Sequence, residues 1–146
     1  MPLFEVDFHS HTPVKVAYSC WLSRYAVSSG AKVVVTAGAN DLQMLDIALW
    51  TFAPLEFVPH CRAFANAAVL AASPVMLTDA VSAAPHQQVL VNLGEQVPDG
   101  FERFERLIEI VGTQDDDRLQ ARSRWKHYAD RGYAITRHDL AARSSN

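Results

Sequence analysis

Lys32-Val33-Val34-Val35-Thr36 places three β-branched valines in a row, and such a run reads as a strand buried on both faces. A strand with one wet face would alternate apolar and polar residues; one covered on both sides has no reason to. Burial on both faces is the condition of a parallel sheet sandwiched between helices. The flanks agree. Before the run, residues 14–29 place Val16, Cys20 and Tyr25 near an apolar stripe and close at Gly30, the residue best suited to end a helix. After it, a helix opens at Asn40 or Asp41, carries Leu42, Leu45, Leu49 and Trp50 on one face, and stops before Pro54.

Outward from this centre the same alternation continues. Residues 3–9, LFEVDFH, alternate apolar and polar and predict an opening strand ended by His11-Thr12-Pro13. Residues 57–60, FVPH, read as a short strand or a turn, and periodicity leaves the Ala-rich stretch of residues 62–73 open between helix and loop. Residues 74–78 and 88–93 predict two more strands. Asp99 and Gly100 begin a short helix carrying Phe101, Phe104 and Leu107. A last strand spans residues 108–111, and a helix closes the chain. Strands alternating with helices in 146 residues, 49% of them hydrophobic, predict one α/β domain over residues 1–146, with a three-layer, mostly parallel sheet and helices on both faces.

Composition narrows the function. The net charge is −3, so the chain does not coat nucleic acid by bulk charge, and any nucleic-acid contact is expected to be indirect. Cys20 and Cys61 have no metal-type spacing or disulfide framework, the N-terminus lacks the pattern of a signal peptide, and no apolar run is long enough to cross a bilayer; a reduced, cytoplasmic protein is expected. The turn after the valine run, Ala37-Gly38-Ala39-Asn40-Asp41, has neither GxGxxG nor GxxxxGK[ST] spacing, which argues against a nucleotide phosphate site. No nucleophile elbow is present. The most specific enzymatic signal is the DxHxH pattern of Asp7, His9 and His11. Two histidines two apart on a strand project to one face, and the spacing resembles the opening of metal-dependent hydrolases. The remaining histidines, His60, His86, His127 and His138, fall in no ligand motif.

The basic charge is local. Residues 1–101 carry four Arg or Lys and eight acids, whereas residues 102–146 carry nine and eight. Within the late stretch DDDRLQARSRWKHYADRGY, Asp115, Asp116 and Asp117 suit a helix N-terminus, where carboxylates cap free amides, and Gly132 supplies the stop. Between them stand Arg118, Arg122, Arg124, Lys126 and Arg131, with Trp125 and Tyr128 interleaved. Arg122, Trp125 and Lys126 share one side, while Ala121, Trp125 and Tyr128 form a row that equally suits burial. The helix is either a solvated outer face or a surface for an acidic chain that also carries aromatic or apolar side chains.

Leu45-Asp46-Ile47-Ala48-Leu49-Trp50, followed after six residues by Phe57-Val58-Pro59-His60, resembles the chi subunit family of bacterial DNA polymerase III, in the same order and spacing, and the late ARSRWKHYADRGY resembles that family's basic, aromatic helix. On physical grounds Trp50, Phe57 and Pro59 form an aromatic corner between rigid prolines. The resemblance covers the chain from the opening strand to about Leu140. It implies an α/β fold related to nucleotide-binding folds but lacking their phosphate-binding loop, no intrinsic catalytic activity and no cofactor. It also implies two partners, the psi subunit of the clamp loader and the acidic C-terminal tail of single-stranded DNA-binding protein. Carried over by position, Val111, Arg122, Trp125 and Lys126 match the family's tail-binding residues. Trp125 stands where the family has tyrosine, and a further basic position falls at Ala129, a charge that Arg131 is a candidate to replace. The resemblance assigns no residue to the psi interface. The alternative reading is a metal-dependent hydrolase built on His9 and His11.

Overall fold

In a computed structural model, residues 5–51, 60–62, 73–81 and 84–140 are described. They form β1 (Glu5–Thr12), α1 (Lys15–Ser28), β2 (Val33–Thr36), α2 (Ala39–Thr51), β3 (His60–Arg62), β4 (Val75–Thr78), β5 (Val89–Asn92), β6 (Arg106–Gly112), α3 (Asp115–Asp130) and β7 (Ile135–Asp139), with one 3-10 turn at Phe101–Arg103. The strands make one seven-stranded sheet in the order β3-β4-β2-β5-β6-β1-β7. Every pairing in it is parallel, so the expected mostly parallel α/β sheet is, among the described residues, parallel throughout.

The valine run behaves as its composition requires. Val33, Val34 and Val35 are fully buried and lie between β4 and β5. Because side chains alternate along a strand, they serve two cores. Val33 and Val35 pack with Cys20 and Leu22 of α1 and Leu42, Leu45 and Leu49 of α2, while Val34 joins Phe8, Leu107, Val111, Ala121 and Tyr128 beneath α3. Burying each such aliphatic side chain contributes about 1.5–3 kcal/mol, and both cores depend on the sheet between them.

Several boundaries differ from expectation. The helix expected from Asp99 through Leu107 is only the 3-10 turn, opened by Gly100 at φ 85°. β6 begins at Arg106 and so absorbs Leu107, whose side chain belongs to the alternating pattern of the strand. β1 runs to Thr12 rather than stopping at His9, with a register shift between His9 and Thr12 and His11 at φ 56°. The basic helix does not close the chain, because β7 follows and pairs with β1. Tyr25, placed by spacing near the apolar stripe of α1, is instead exposed and stacks on Trp21. The stops are where glycine predicted them: Gly30 and Gly132 have φ of 88° and 83° and follow the C-caps of α1 and α3.

Phe57, Val58, Pro59 and residues 63–72 of the Ala-rich stretch lie outside the described residues, as does the Trp50 side chain. The two motifs nevertheless meet. His60 Nε2 donates to Asp46 Oδ1 at 2.9 Å, joining β3 to α2 through a histidine whose side chain is fully buried. No helix among the described residues is long and apolar enough to cross a membrane.

Candidate functional site

The site begins with a row across the sheet. Parallel register sets Asn92 of β5 beside Glu109 of β6, Glu109 beside Phe8 of β1, and Phe8 beside Arg137 of β7. Registered neighbours share a face, and Phe8 packs in the core beneath α3. Half of this row anchors the helix. Arg124 Nε donates to Glu109 Oε1 at 2.9 Å, Tyr128 Oη donates to Glu109 Oε2 at 2.5 Å, and Asn92 Nδ2 reaches both carboxylate oxygens at 3.1 Å. Arg124 also donates to the Glu95 carbonyl at 2.9 Å.

All four side chains are buried. Burial pushes the Glu109 carboxyl above its ordinary range, while Arg124, Tyr128 and Asn92 pull the other way. The Tyr128 hydroxyl is driven upward by burial and then by Glu109. Arg124, expected among the donors of the basic surface, is therefore spent on the interior, and Glu109 gave no signal in sequence beyond an acid in an apolar strand.

The other half of the row forms a cavity of about 360 Å³, lined by Phe8, Ser10 and His11 of β1, Val111 of β6, Arg118, Ala121, Arg122 and Trp125 of α3, and Arg137 of β7. Its floor is apolar. Trp125 lies 4.9 Å from Phe8 between ring centroids, and Val111 and Ala121 are buried. Its rim is cationic: Arg118, Arg122 and Arg137 are exposed, and no acidic side chain is among the described residues lining it. Arg118 has Asp115 at 3.7 Å, but that carboxylate is 99% exposed and screened.

Three of the four residues singled out from sequence, Val111, Arg122 and Trp125, are thus brought together. Lys126 is exposed next to Trp125 but outside the lining. Of the α3 row, Ala121 and Tyr128 are buried, as the burial reading requires, while Trp125 is half-buried between core and cavity. Arg131, the candidate for the charge missing at Ala129, sits at the C-cap of α3 away from the cavity. Sequence reasoning missed Phe8, Ser10, Arg118 and Arg137 as lining residues, and gave His11 a different task.

The three aspartates occupy the first turn of α3, as expected, but none of them is the cap. Gln114 is the N-cap, with no side-chain cap bond. Asp117 instead reaches back, accepting from the Gly112 amide at 2.6 Å and from Lys15 Nζ at 3.1 Å. Lys15 also donates to the Leu93 carbonyl at 2.9 Å, so this ion pair ties the start of α3 to α1 and to the end of β5.

His9 and His11 do not share a face. His9 is buried toward α1, where Nδ1 meets the Tyr18 hydroxyl, and its ring lies 4.7 Å from that of His138. The positive φ at His11 breaks the alternation and turns its ring toward α3, where it lines the cavity and Nδ1 donates to Asp139 Oδ1 at 2.7 Å. Among the described residues, no group of three or more His, Cys, Asp or Glu is placed to hold a metal ion. The spacing argument for a shared metal fails on its first premise.

Fold and cavity define a class: a parallel α/β protein whose sequence carries neither phosphate-loop motif, with a cationic, aromatic-floored cavity between α3 and the edge strand β7. A family model described as DNA polymerase III chi subunit, HolC, matches residues 3–136, and the chain belongs to that family. Two relatives named DNA polymerase III subunit chi are similar to it. The one from Pseudomonas aeruginosa is 28% identical over 141 residues, covering 92% of this chain and 96% of the relative. The one from Haemophilus influenzae is 28% identical over 121 residues, covering 81% and 82%. Membership in this family gives the chain an accessory role in DNA replication.

Proposed function

We propose that this chain is a non-catalytic adaptor of the DNA polymerase III clamp-loader assembly, binding the psi subunit at one surface and the acidic C-terminal tail of single-stranded DNA-binding protein in the α3 cavity. The observation that carries the reading is the lining itself: guanidinium groups at Arg118, Arg122 and Arg137 surround an apolar floor of Phe8, Val111 and Trp125, with no acid among the described lining residues. A ligand that satisfies both halves carries several carboxylates and an aromatic side chain. A protein tail ending in aspartates and an aromatic residue has this composition. Arg122 and Lys126 pair with its carboxylates by charge-assisted hydrogen bonds, while the aromatic side chain enters against Trp125 and Val111.

The test uses full-length proteins. The chain, alone and co-expressed with psi, is titrated with single-stranded DNA-binding protein and with a form lacking its last residues. Binding that requires the tail, together with a complex that co-purifies with psi, is expected. Equal binding to the truncated form contradicts the tail assignment, and failure to co-purify with psi contradicts the adaptor role.

A further inference from the structure

The cavity has two walls from different elements, and only one of them is the basic helix. The opposite wall is the edge strand β7. Its register with β1 places Arg137 directly beside Phe8, at the edge of the apolar floor. Arg137 Nε donates to Ser10 Oγ at 3.4 Å, a long contact, and Ser10 itself donates to the His138 carbonyl at 3.4 Å. These contacts set the guanidinium beside β1 through Nε, and among the described residues no hydrogen bond engages its terminal nitrogens. Asp139 lies two residues along the same face of β7, where it would compete for this guanidinium, and it accepts from His11 at 2.7 Å.

We propose that Arg137 is the receptor for the terminal carboxylate of the bound tail, closing on it from β7 while Arg122 faces it from α3. This rests on the acceptor reading given above. The geometry separates the cations by task. An aromatic last residue seated on Phe8, Val111 and Trp125 has its own α-carboxylate only a few bonds from the ring, so that carboxylate comes to rest beside the floor, where Arg137 stands. Lys126 lies outside the lining and meets the acids further up the tail. Arg137 thereby supplies from the strand the charge that α3 lacks at Ala129 and that Arg131, at the helix end, does not bring to the cavity. A planar guanidinium suits the task because it can meet a carboxylate with two parallel hydrogen bonds. It would also make the site selective for a chain end over an internal acidic segment.

A thermodynamic cycle tests the assignment: wild type and Arg137→Gln are each titrated with a peptide of several aspartates and a C-terminal phenylalanine, once with a free carboxylate and once amidated. For the wild type, amidation is expected to weaken binding roughly tenfold or more, the loss of a charge-assisted hydrogen bond. For Arg137→Gln, the free peptide weakens by a similar factor and amidation then costs little. Arg137→Lys, which keeps the charge but not the fork, is expected to fall between. Equal amidation penalties in wild type and Arg137→Gln overturn the assignment while leaving the acceptor reading intact. Absence of binding by the wild type overturns both. Arg137 is exposed, so matching thermal melts of the variants confirm that the cycle reads contacts and not folding.

Discussion

Glu109 and Arg124 show how a residue's neighbours decide its role. Arg124 looks like Arg122 in the sequence, two positions apart on the same basic helix, yet Arg124 is 1% exposed against a fully buried Glu109, and Arg122 faces solvent at the cavity rim. Removing one partner of such a pair strands the other charge in the interior, so Glu109→Gln is expected to destabilise by about 3–5 kcal/mol. At about 2–4 °C per kcal/mol for a chain near this size, thermal melts should show a clear fall; an unchanged melting temperature would mean the pair is open to water. Cys20 gives a prediction in pH. Burial pushes its thiol up to about 11 from an ordinary 9.0, so the folded state favours the protonated thiol more than the unfolded state does. The resulting stability is whole below pH 9 and is lost as pH rises through about 11. Denaturant melts across that window are expected to decline more steeply for wild type than for Cys20→Ala, and parallel declines would contradict the assignment. Which arginine turns inward was not legible in sequence, because it depends on a glutamate in the facing strand that only the register of β5, β6 and β1 brings beneath α3.

At the scale of elements, what could be read from sequence followed local periodicity and what could not followed long-range pairing. The valine run, the glycine stops after α1 and α3, and the basic helix were legible because each is fixed by residues within a turn or two. Phe101, Phe104 and Leu107 have helical spacing, which points to a longer helix than the 3-10 turn at Phe101; Leu107 instead follows the alternation of β6. β7 was missed altogether. Ile135-Thr136-Arg137-His138-Asp139 has one large apolar residue among five, since an edge strand is half solvated and its partner β1 is more than a hundred residues away. That omission hid Arg137, the lining residue that β7 contributes. Ending the chain at Gly132 is therefore expected to do two things: lower the melting temperature, by leaving the β1 edge unpaired, and abolish binding of the acidic peptide, by removing the β7 wall. Peptide binding retained at wild-type strength would show that α3 alone suffices. The motif pair of residues 45–50 and 57–60 was recognised for its aromatics, but the described contact between its halves is the buried His60–Asp46 hydrogen bond. His60→Ala is expected to loosen α2 from β3, read as faster amide exchange in both elements, and unchanged exchange would contradict that.

For the whole molecule, a net charge of −3 and a cavity ringed by guanidinium groups are compatible because Arg118, Arg122 and Arg137 gather around one cavity of an otherwise acidic protein. Such local fields act over about 8 Å at physiological ionic strength, so they draw an acidic tail to one face without making the chain a general polyanion binder. The sheet keeps this face in place: one core beneath α1 and α2, another beneath α3, and the Glu109 network joining the helix to the strands that carry the cavity floor. The central claim is that this cavity receives an acidic, aromatic chain end, and isothermal titration of such a peptide across a range of salt tests it most directly. Wild type is expected to bind with an affinity that falls as salt rises. Arg122→Ala combined with Lys126→Ala should weaken binding and flatten the salt dependence without lowering the melting temperature, and Trp125→Ala should weaken it with the salt slope nearly intact. Undiminished binding after Arg122 and Lys126 are both removed would contradict the account and leave α3 a solvated helix.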